Sequence, residues 1–261
     1  MSNFLLGADP EVFVRQADKF LSAHGMVEGT KLAPHPVENG AVQVDGMALE
    51  FNIDPANDEE AFVYNIQHVM AQLKAMVPDY EVVATPVAHF TPEYIEEQPW
   101  EAKQLGCEPD YNAWTGSENE KPDMKKPWRT ASGHVHMGWT DTVIDEAHLG
   151  MCSAFIKQSD FILGLPSLLY DGDVERREMY GKAGAFRPKT YGAEYRVLSN
   201  RWLSDPALIR WVYRASLNTF TSMGCQLVEK YGDIQDIINN SDVDAAWRII
   251  KAEGILVPAG V

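Results

Sequence analysis

The sequence predicts a single α+β domain, and three observations carry that expectation. Segments near residues 4–14, 41–53, 130–139 and 194–198 alternate in character with a period of two, as strands do. Apolar residues at helical spacing recur between and after them. No repeat and no flexible linker divides the 261 residues.

The elements follow in order. Phe4–Val14 reads as a strand interrupted by Gly7 and Pro10, because proline has no N–H to give a ladder. Ala41–Val44 and Met47–Ile53 read as a hairpin closed by Asp45-Gly46, a favoured two-residue turn. In its second strand Met47, Leu49, Phe51 and Ile53 share one face, and Ala48, Glu50 and Asn52 share the other. Asn57-x-x-Glu60 reads as a capping box for a helix through Phe62, Ile66, Val69, Leu73 and Val77, ending before Pro78. Tyr80–Ala84 is a further strand. Residues 91–129 show little period and are longer than an ordinary connection, which suggests a lid or an irregular packed insertion; Trp100, Tyr111 and Trp114 could line a cavity there. Thr130–Trp139 and a segment centred on Glu194–Leu198 are strands. A helix is expected over Val143–Leu163 with Gly164-Leu165-Pro166 ending it, another from Asp205-Pro206, and a last one over Ser241–Ala252.

The formal net charge of −16 argues against extensive contact with nucleic acid, while leaving room for a local basic cleft that binds a nucleotide. No basic-then-apolar leader and no run approaching 18 apolar residues is present, so a cytoplasmic protein without membrane insertion is expected. Cys107, Cys152 and Cys225 are scattered, without a CxxC, and read as free thiols.

The chemistry concentrates in pairs spaced by two: Asp9-x-Glu11, Glu50-x-Asn52, His134-x-His136 and Glu194-x-Arg196. Each pair lies on one side of its strand, and such a polar face is unsuited to a core. Asp9, Glu11, Glu50 and Glu194 offer hard oxygen ligands of the kind magnesium or manganese takes, and His134 or His136 could add nitrogen or contact phosphate. Arg176, Arg177, Arg187 and Arg196 could bind phosphate oxygens. Taken singly, each of these residues has a blander role: a cap, a solvated charge or a cross-strand ion pair. Their joint occurrence points to a shared metal and phosphate site. No P-loop and no nucleophile elbow is present.

In Gly7-Ala-Asp-Pro-Glu11, Asp45-Gly-Met-Ala-Leu-Glu50-Phe-Asn52, Ser132-Gly-His-Val-His136-Met-Gly138 and Gly184-Ala-Phe-Arg187 through Gly192-Ala-Glu-Tyr-Arg196, the chain resembles the phage-associated carboxylate–amine ligases of type 2. These are amidoligases of the glutamine synthetase/glutamate–cysteine ligase superfamily. The resemblance implies one catalytic domain over residues 1–261, built on a curved, mainly antiparallel sheet with a polar concave face and helices on the other side. It implies ATP and Mg2+ (or Mn2+) as cofactors, and host cytoplasm as the location if the chain is phage-encoded. By the same likeness Asp9, Glu11, Glu50, His134 and Glu194 would hold metal, and His136, Arg176, Arg187 and Arg196 the nucleotide. Glu50, Glu194, Arg187 and Arg196 would carry catalysis. The implied reaction forms an amide or peptide-like bond from a carboxylate and an amine through an acyl phosphate. Two other readings stay open on the residues: a metal-dependent amide or phosphate hydrolase, and an inactive nucleotide-binding or virion-associated protein. Neither the substrates, nor the base that deprotonates the amine, nor the oligomeric state can be read from the sequence.

Overall fold

The computed structural model describes residues 4–104, 110–120, 126–224 and 226–260, so Cys107 and Cys225 lie outside the described residues. The architecture is α+β with mainly antiparallel sheets and several helices. One sheet has five strands in the order Leu5–Ala8, Val135–Gly138, Gly192–Tyr195, Ala185–Lys189 and Tyr111–Asn112. A second runs Lys19–Leu21, Glu11–Gln16, Ala48–Ile53, Gly40–Asp45 and His35–Val37, with Glu81–Val83 also paired to Glu11–Gln16. Trp128–Thr130 and Val87–His89 make a separate ribbon.

The interruption expected at Pro10 is where the chain passes from the first sheet to the second. Leu5–Ala8 pairs with Val135–Gly138, whereas Glu11 pairs with Glu50. Between them the Asp9 amide donates to the His134 carbonyl at 3.3 Å and the Glu11 amide to the Ser132 carbonyl at 2.8 Å. Pro10 gives no N–H, and its carbonyl accepts from Phe51 at 3.1 Å. The polar residues of both sheets therefore converge around Asp9-x-Glu11.

Alternation supplies the other face. Leu6, Val135, Met137, Ala193 and Tyr195 of one sheet and Val12, Leu49 and Phe51 of the other enter a single core. The helix Glu59–Met76 adds Phe62, Val63, Ile66, Val69 and Leu73, each fully or nearly buried and each contributing roughly 1.5–3 kcal/mol by burial. That helix starts one residue later than the capping box implied. Asp58 is its cap, accepting the Ala61 amide at 2.8 Å, and Val77 closes it before Pro78.

Three further expectations change in detail. The strand expected over Thr130–Trp139 divides, its first part joining the ribbon and Val135–Gly138 joining the five-stranded sheet. Gly133 lies in the gap and lets the chain pass Trp202: a Cβ there would stand 2.2 Å from Trp202 Nε1 and 2.4 Å from the Ser199 carbonyl. The helix expected over Val143–Leu163 begins at Glu146, after the Asp145 cap, and is regular to Ser159. Gly164-Leu165-Pro166 does not end it. A π-helical turn, Asp160–Gly164, carries the chain into the short helix Leu165–Ser167. Asp160 is buried there and accepts Trp114 Nε1 at 2.6 Å and the Tyr195 hydroxyl at 2.7 Å, which anchors the turn beneath the sheet. The helices Pro206–Thr221, capped by Asp205, and Val243–Glu253, capped by Asp242, match their expected positions.

The described part of 91–129 is packed rather than free. Ile95 and Ala102 from its short helices join Phe13, Met47, Ala88 and Phe90 in a second small core. Trp114 points to Asp160, Tyr111 meets the Phe186 ring, and Trp100 is 60 % exposed. Among the described residues no helix is long and apolar enough to cross a membrane.

Candidate functional site

Strand register places Gly7, His136, Glu194 and Arg187 in one row across the first sheet, because each is the direct partner of the next. Asp9, His134 and Arg196 join this row from the chain two residues along. Asp9 Oδ1 lies 3.0 Å from His136 Nε2 and 3.7 Å from His134 Nδ1, and Glu194 Oε1 lies 3.6 Å from His134 Nδ1. Glu194 is 0 % exposed and is ringed by cations. Its Oε2 meets Lys189 Nζ at 3.1 Å and Arg187 Nη1 at 3.4 Å, and its Oε1 accepts from Arg196 Nη1. Arg196 also donates through Nε to Asp110 at 3.2 Å.

The charges answer one another. Burial pushes the Asp9 carboxyl up, yet the charge and hydrogen bond of His136, with Arg196 and Lys189 beyond, bring it below its ordinary value. Burial works against the charged His136, but Asp9 and Glu194 more than offset it and hold the imidazole above its usual range. His134 goes the other way: burial, then the nearby Arg196 and Arg176, keep it neutral. Burial, followed by Asp9, raises Glu194, with His136, Arg187 and Lys189 opposing.

A second group lies across the junction. Glu11 stands directly opposite Glu50, and Glu50 opposite Gln43. Asp45, two residues beyond Gln43, falls on the same side, and Glu11, Asp45 and Glu50 each bring an oxygen within 4.8 Å of the others. Asp45 does not occupy the turn as expected. It pairs with Ala48, so the two-residue turn is Gly46-Met47, with Gly46 at φ 58 in the first central position. Met47 is buried in the small second core, which holds the turn in that register. That one-residue shift turns a turn residue into a third carboxylate. Lys31 Nζ reaches Asp45 Oδ2 at 2.7 Å, and the Ser132 amide donates to Glu11 Oε2 at 2.7 Å. Burial, then Asp45, lifts the Glu11 carboxyl to about 7. Burial, then Asp9, Asp45 and Glu11, lifts Glu50 well above its ordinary value.

The five expected metal ligands thus divide into Asp9–His134–Glu194 and the pair Glu11–Glu50, which Asp45 joins as a third carboxylate. Both donor sets suit a hard divalent ion, which accepts carboxylate oxygens and tolerates imidazole. In the first, His134 Nε2 is buried without a hydrogen-bond partner, and Nδ1 is shared with Arg196 Nη1 at 3.4 Å. In the second set burial and mutual repulsion raise the carboxyls of Glu11, to about 7, and Glu50, a burden that a divalent ion would relieve.

Arg187 and Arg196 reach the site as expected. Arg176 is buried and spends its donors on the carbonyls of Val197 at 2.9 Å and Leu198 at 3.0 Å and on Ser132 Oγ at 3.1 Å, which fixes the chain next to Arg196. Arg177 is turned toward Asp171 and the Asp173 carbonyl. Sequence reasoning passes over Asp45, Lys31, Asp110, Lys189 and Tyr191, whose hydroxyl is 2.6 Å from His136 Nδ1. Only Lys189 carried a usable signal, since it lies two residues beyond Arg187 on the same strand. A cleft of about 530 Å³ opens between the sheets and is bounded by Asp9, Glu50, His136 and Tyr191 among others.

No curated protein matches the chain. Residues 122–223 match a family model described as phage phiEco32-like COOH.NH2 ligase-type 2. That span contains His134, His136, Arg176, Arg187, Glu194 and Arg196, and stops short of Asp9, Glu11 and Glu50. The carboxylate–amine ligase family that the four motifs resemble is therefore the family whose model this chain matches.

Proposed function

We propose that this protein is an ATP- and Mg2+-dependent ligase that joins a carboxylate to an amine through an acyl-phosphate intermediate, releasing ADP and phosphate. The family match supports the ligase. The observation that supports ATP and metal is the junction at Asp9-x-Glu11, where a corner rich in arginine and lysine adjoins a corner rich in carboxylates. Metal phosphate needs both: cations for its oxygens and carboxylates for its ion.

In this reading Glu11, Asp45 and Glu50 hold magnesium, with Asp9, His134 and Glu194 as the neighbouring set. Magnesium there would neutralise phosphate charge and polarise the transferring group. Arg187, Lys189 and Arg196 bind phosphate oxygens, and Glu194 keeps their three cationic groups converged on one point. His136, kept protonated by Asp9 and Glu194, adds a further positive donor. The chain need not supply a nucleophile, because the carboxylate of one substrate attacks ATP and the amine of the other attacks the acyl phosphate.

Incubation of the purified chain with ATP, Mg2+ and pooled carboxylates and amines should yield ADP together with a mass-matched condensation product, and only when both substrate classes are present. Absence of nucleotide binding would overturn the reading. Cleavage of an amide without ATP would put a hydrolase in its place.

A further inference from the structure

One wall of the cleft carries two carboxamides that bond to nothing among the described residues. On the strands Gly40–Asp45 and Ala48–Ile53, Gln43 pairs directly with Glu50 and Asn52 with Ala41, so these four side chains share one face. Gln43 and Asn52 are diagonal neighbours on it, at roughly 7–8 Å. Gln43 is only 6 % exposed, and Asn52 is partly buried. Even so, neither side chain has a hydrogen-bond partner among the described residues. Ala41, across from Asn52, has no polar group to offer it. Neither amide is among the polar atoms sealed from solvent without a partner, so both open onto the cleft that they line.

A buried amide ordinarily commits its donors and its acceptor to the protein. Two left free on one wall are complementary to a ligand whose N–H and C=O, or equivalent donor and acceptor, lie side by side. A peptide group, a primary amide and the edge of adenine all qualify. Position chooses among them. Gln43 is one cross-strand step from Glu50, which on the ligase reading holds the magnesium of the transferring phosphate. Adenine is separated from that phosphate by the rest of the phosphate chain and the ribose, whereas the carboxylate and amine substrates meet there. Pro34, Ile53 and Pro55 add apolar surface to the same lining, and the volume of about 530 Å³ admits a short peptide. We propose that Gln43 and Asn52 bind an amide group of a substrate, so that at least one of the two molecules joined is a peptide or carries a carboxamide. This assignment rests on the ligase reading above.

The test uses the full chain with Mg2+ and a non-hydrolysable ATP analogue, and compares ligands matched except at the amide. L-Alanyl-L-alanine is set against L-alanyl-L-lactate, in which an ester oxygen replaces the peptide N–H. L-Glutamine is set against the methyl ketone with CH3 in place of its side-chain NH2. In at least one pair the amide is expected to bind about tenfold or more tighter. Gln43→Met and Asn52→Leu keep the size of each side chain and remove its amide, and each should lower that ratio at least threefold. A general weakening of the site cancels in the ratio. Equal affinities within both pairs, a ratio that either variant leaves unchanged, or failure of all four compounds to bind would overturn the assignment. Failure of either variant to fold would also overturn it, by showing that the amide serves the protein rather than a ligand. So would a preference for the ATP analogue over its inosine counterpart that Gln43→Met abolishes, since that would put adenine at this wall. Failure of the ATP analogue to bind the unmodified chain would instead sink the ligase reading, whatever the amides do.

Discussion

The two carboxylate groups that meet at Asp9-x-Glu11 solve the same electrostatic problem in opposite ways. Glu194 is wholly buried, yet Arg187, Lys189 and Arg196 all contact it and His136 reinforces Asp9 beside it. Glu11, Asp45 and Glu50 are packed within 4.8 Å of one another with the ammonium of Lys31 on Asp45. Two like charges at that separation repel by roughly 3–4 kcal/mol at an effective dielectric near 20. In the first group these cations oppose burial: Asp9 titrates below its ordinary value, while Glu194 is still raised by burial and by Asp9 against His136, Arg187 and Lys189. In the second both opposed glutamates are raised instead, Glu11 to about 7 and Glu50 well above its usual range. On the proposed reading, a divalent ion has most to gain at the second group and phosphate has most to gain at the first.

The strongest way to break this comparison is to remove the charge that balances the first group. Glu194→Leu leaves Arg187, Lys189 and Arg196 facing one another in a site where Arg196 is buried. Losing one partner of a buried pair costs about 3–5 kcal/mol. Urea unfolding at pH 7 should show that loss, together with loss of ligase turnover. A change below about 1 kcal/mol would mean that the cations are solvated and the corner is not preorganised.

The back of the same strand offers a third arrangement that sharpens the comparison. Asp160 is buried with no cation in contact among the described residues, and its hydrogen bonds come from the Trp114 and Tyr195 side chains and the Gly184 backbone. Burial raises its carboxyl to about 7, against those hydrogen bonds. A raised acid binds more protons in the folded state, so its contribution to stability is present at low pH and is lost as pH rises toward 7. Between pH 5 and 7 the loss is roughly 2 kcal/mol for one such group. Asp160→Asn should flatten the unfolding free energy over that interval relative to the unmodified chain. Parallel slopes would show that Asp160 is ionised throughout.

What the sequence revealed follows from how local each signal is. Period two exposed Asp9, Glu11, Glu50, His134, His136, Glu194 and Arg196, and the helix start at Asp205-Pro206 was equally plain, because all depend on neighbours in the chain. The division into two groups was not visible, since it arises where the chain changes sheets at Pro10 and depends on pairings across more than a hundred residues. Asp45 was hidden by a competing local signal: Asp-Gly favours the turn, and only burial of Met47 shifts the turn by one residue. Lys31 and Asp110 reach the site from loops without period, so nothing in their surroundings marked them. Asp160 was obscured because Gly164-Leu165-Pro166 reads as a stop, whereas tertiary bonds to Trp114 and Tyr195 sustain a π turn there.

The smallest predicted effect is the one whose sign separates the groups. Glu50 faces Glu11 in register and is repelled by Asp9 and Asp45 as well. Glu50→Gln keeps the shape and removes one charge, so in metal-free solution it should stabilise the protein, by about 1–2 kcal/mol at pH 8 after screening. The folded-state carboxyl is raised, so the stability contributed by its protonated form is lost progressively as pH rises above the ordinary carboxylate range, and the advantage of glutamine should be smaller at pH 5 than at pH 8. Manganese should reverse the order. An ion present at a hundred times its dissociation constant stabilises the folded state by about 2.7 kcal/mol, and Glu50→Gln should forfeit most of that. Thermal unfolding with EDTA and then with Mn2+, at both pH values, reads all four quantities. Stabilisation without metal and a diminished response to it would establish the second group as an ion site held under repulsion. Destabilisation of Glu50→Gln in EDTA, in the direction expected for Glu194→Leu, would show the two groups to be electrostatically alike and remove the ground for assigning them different ligands.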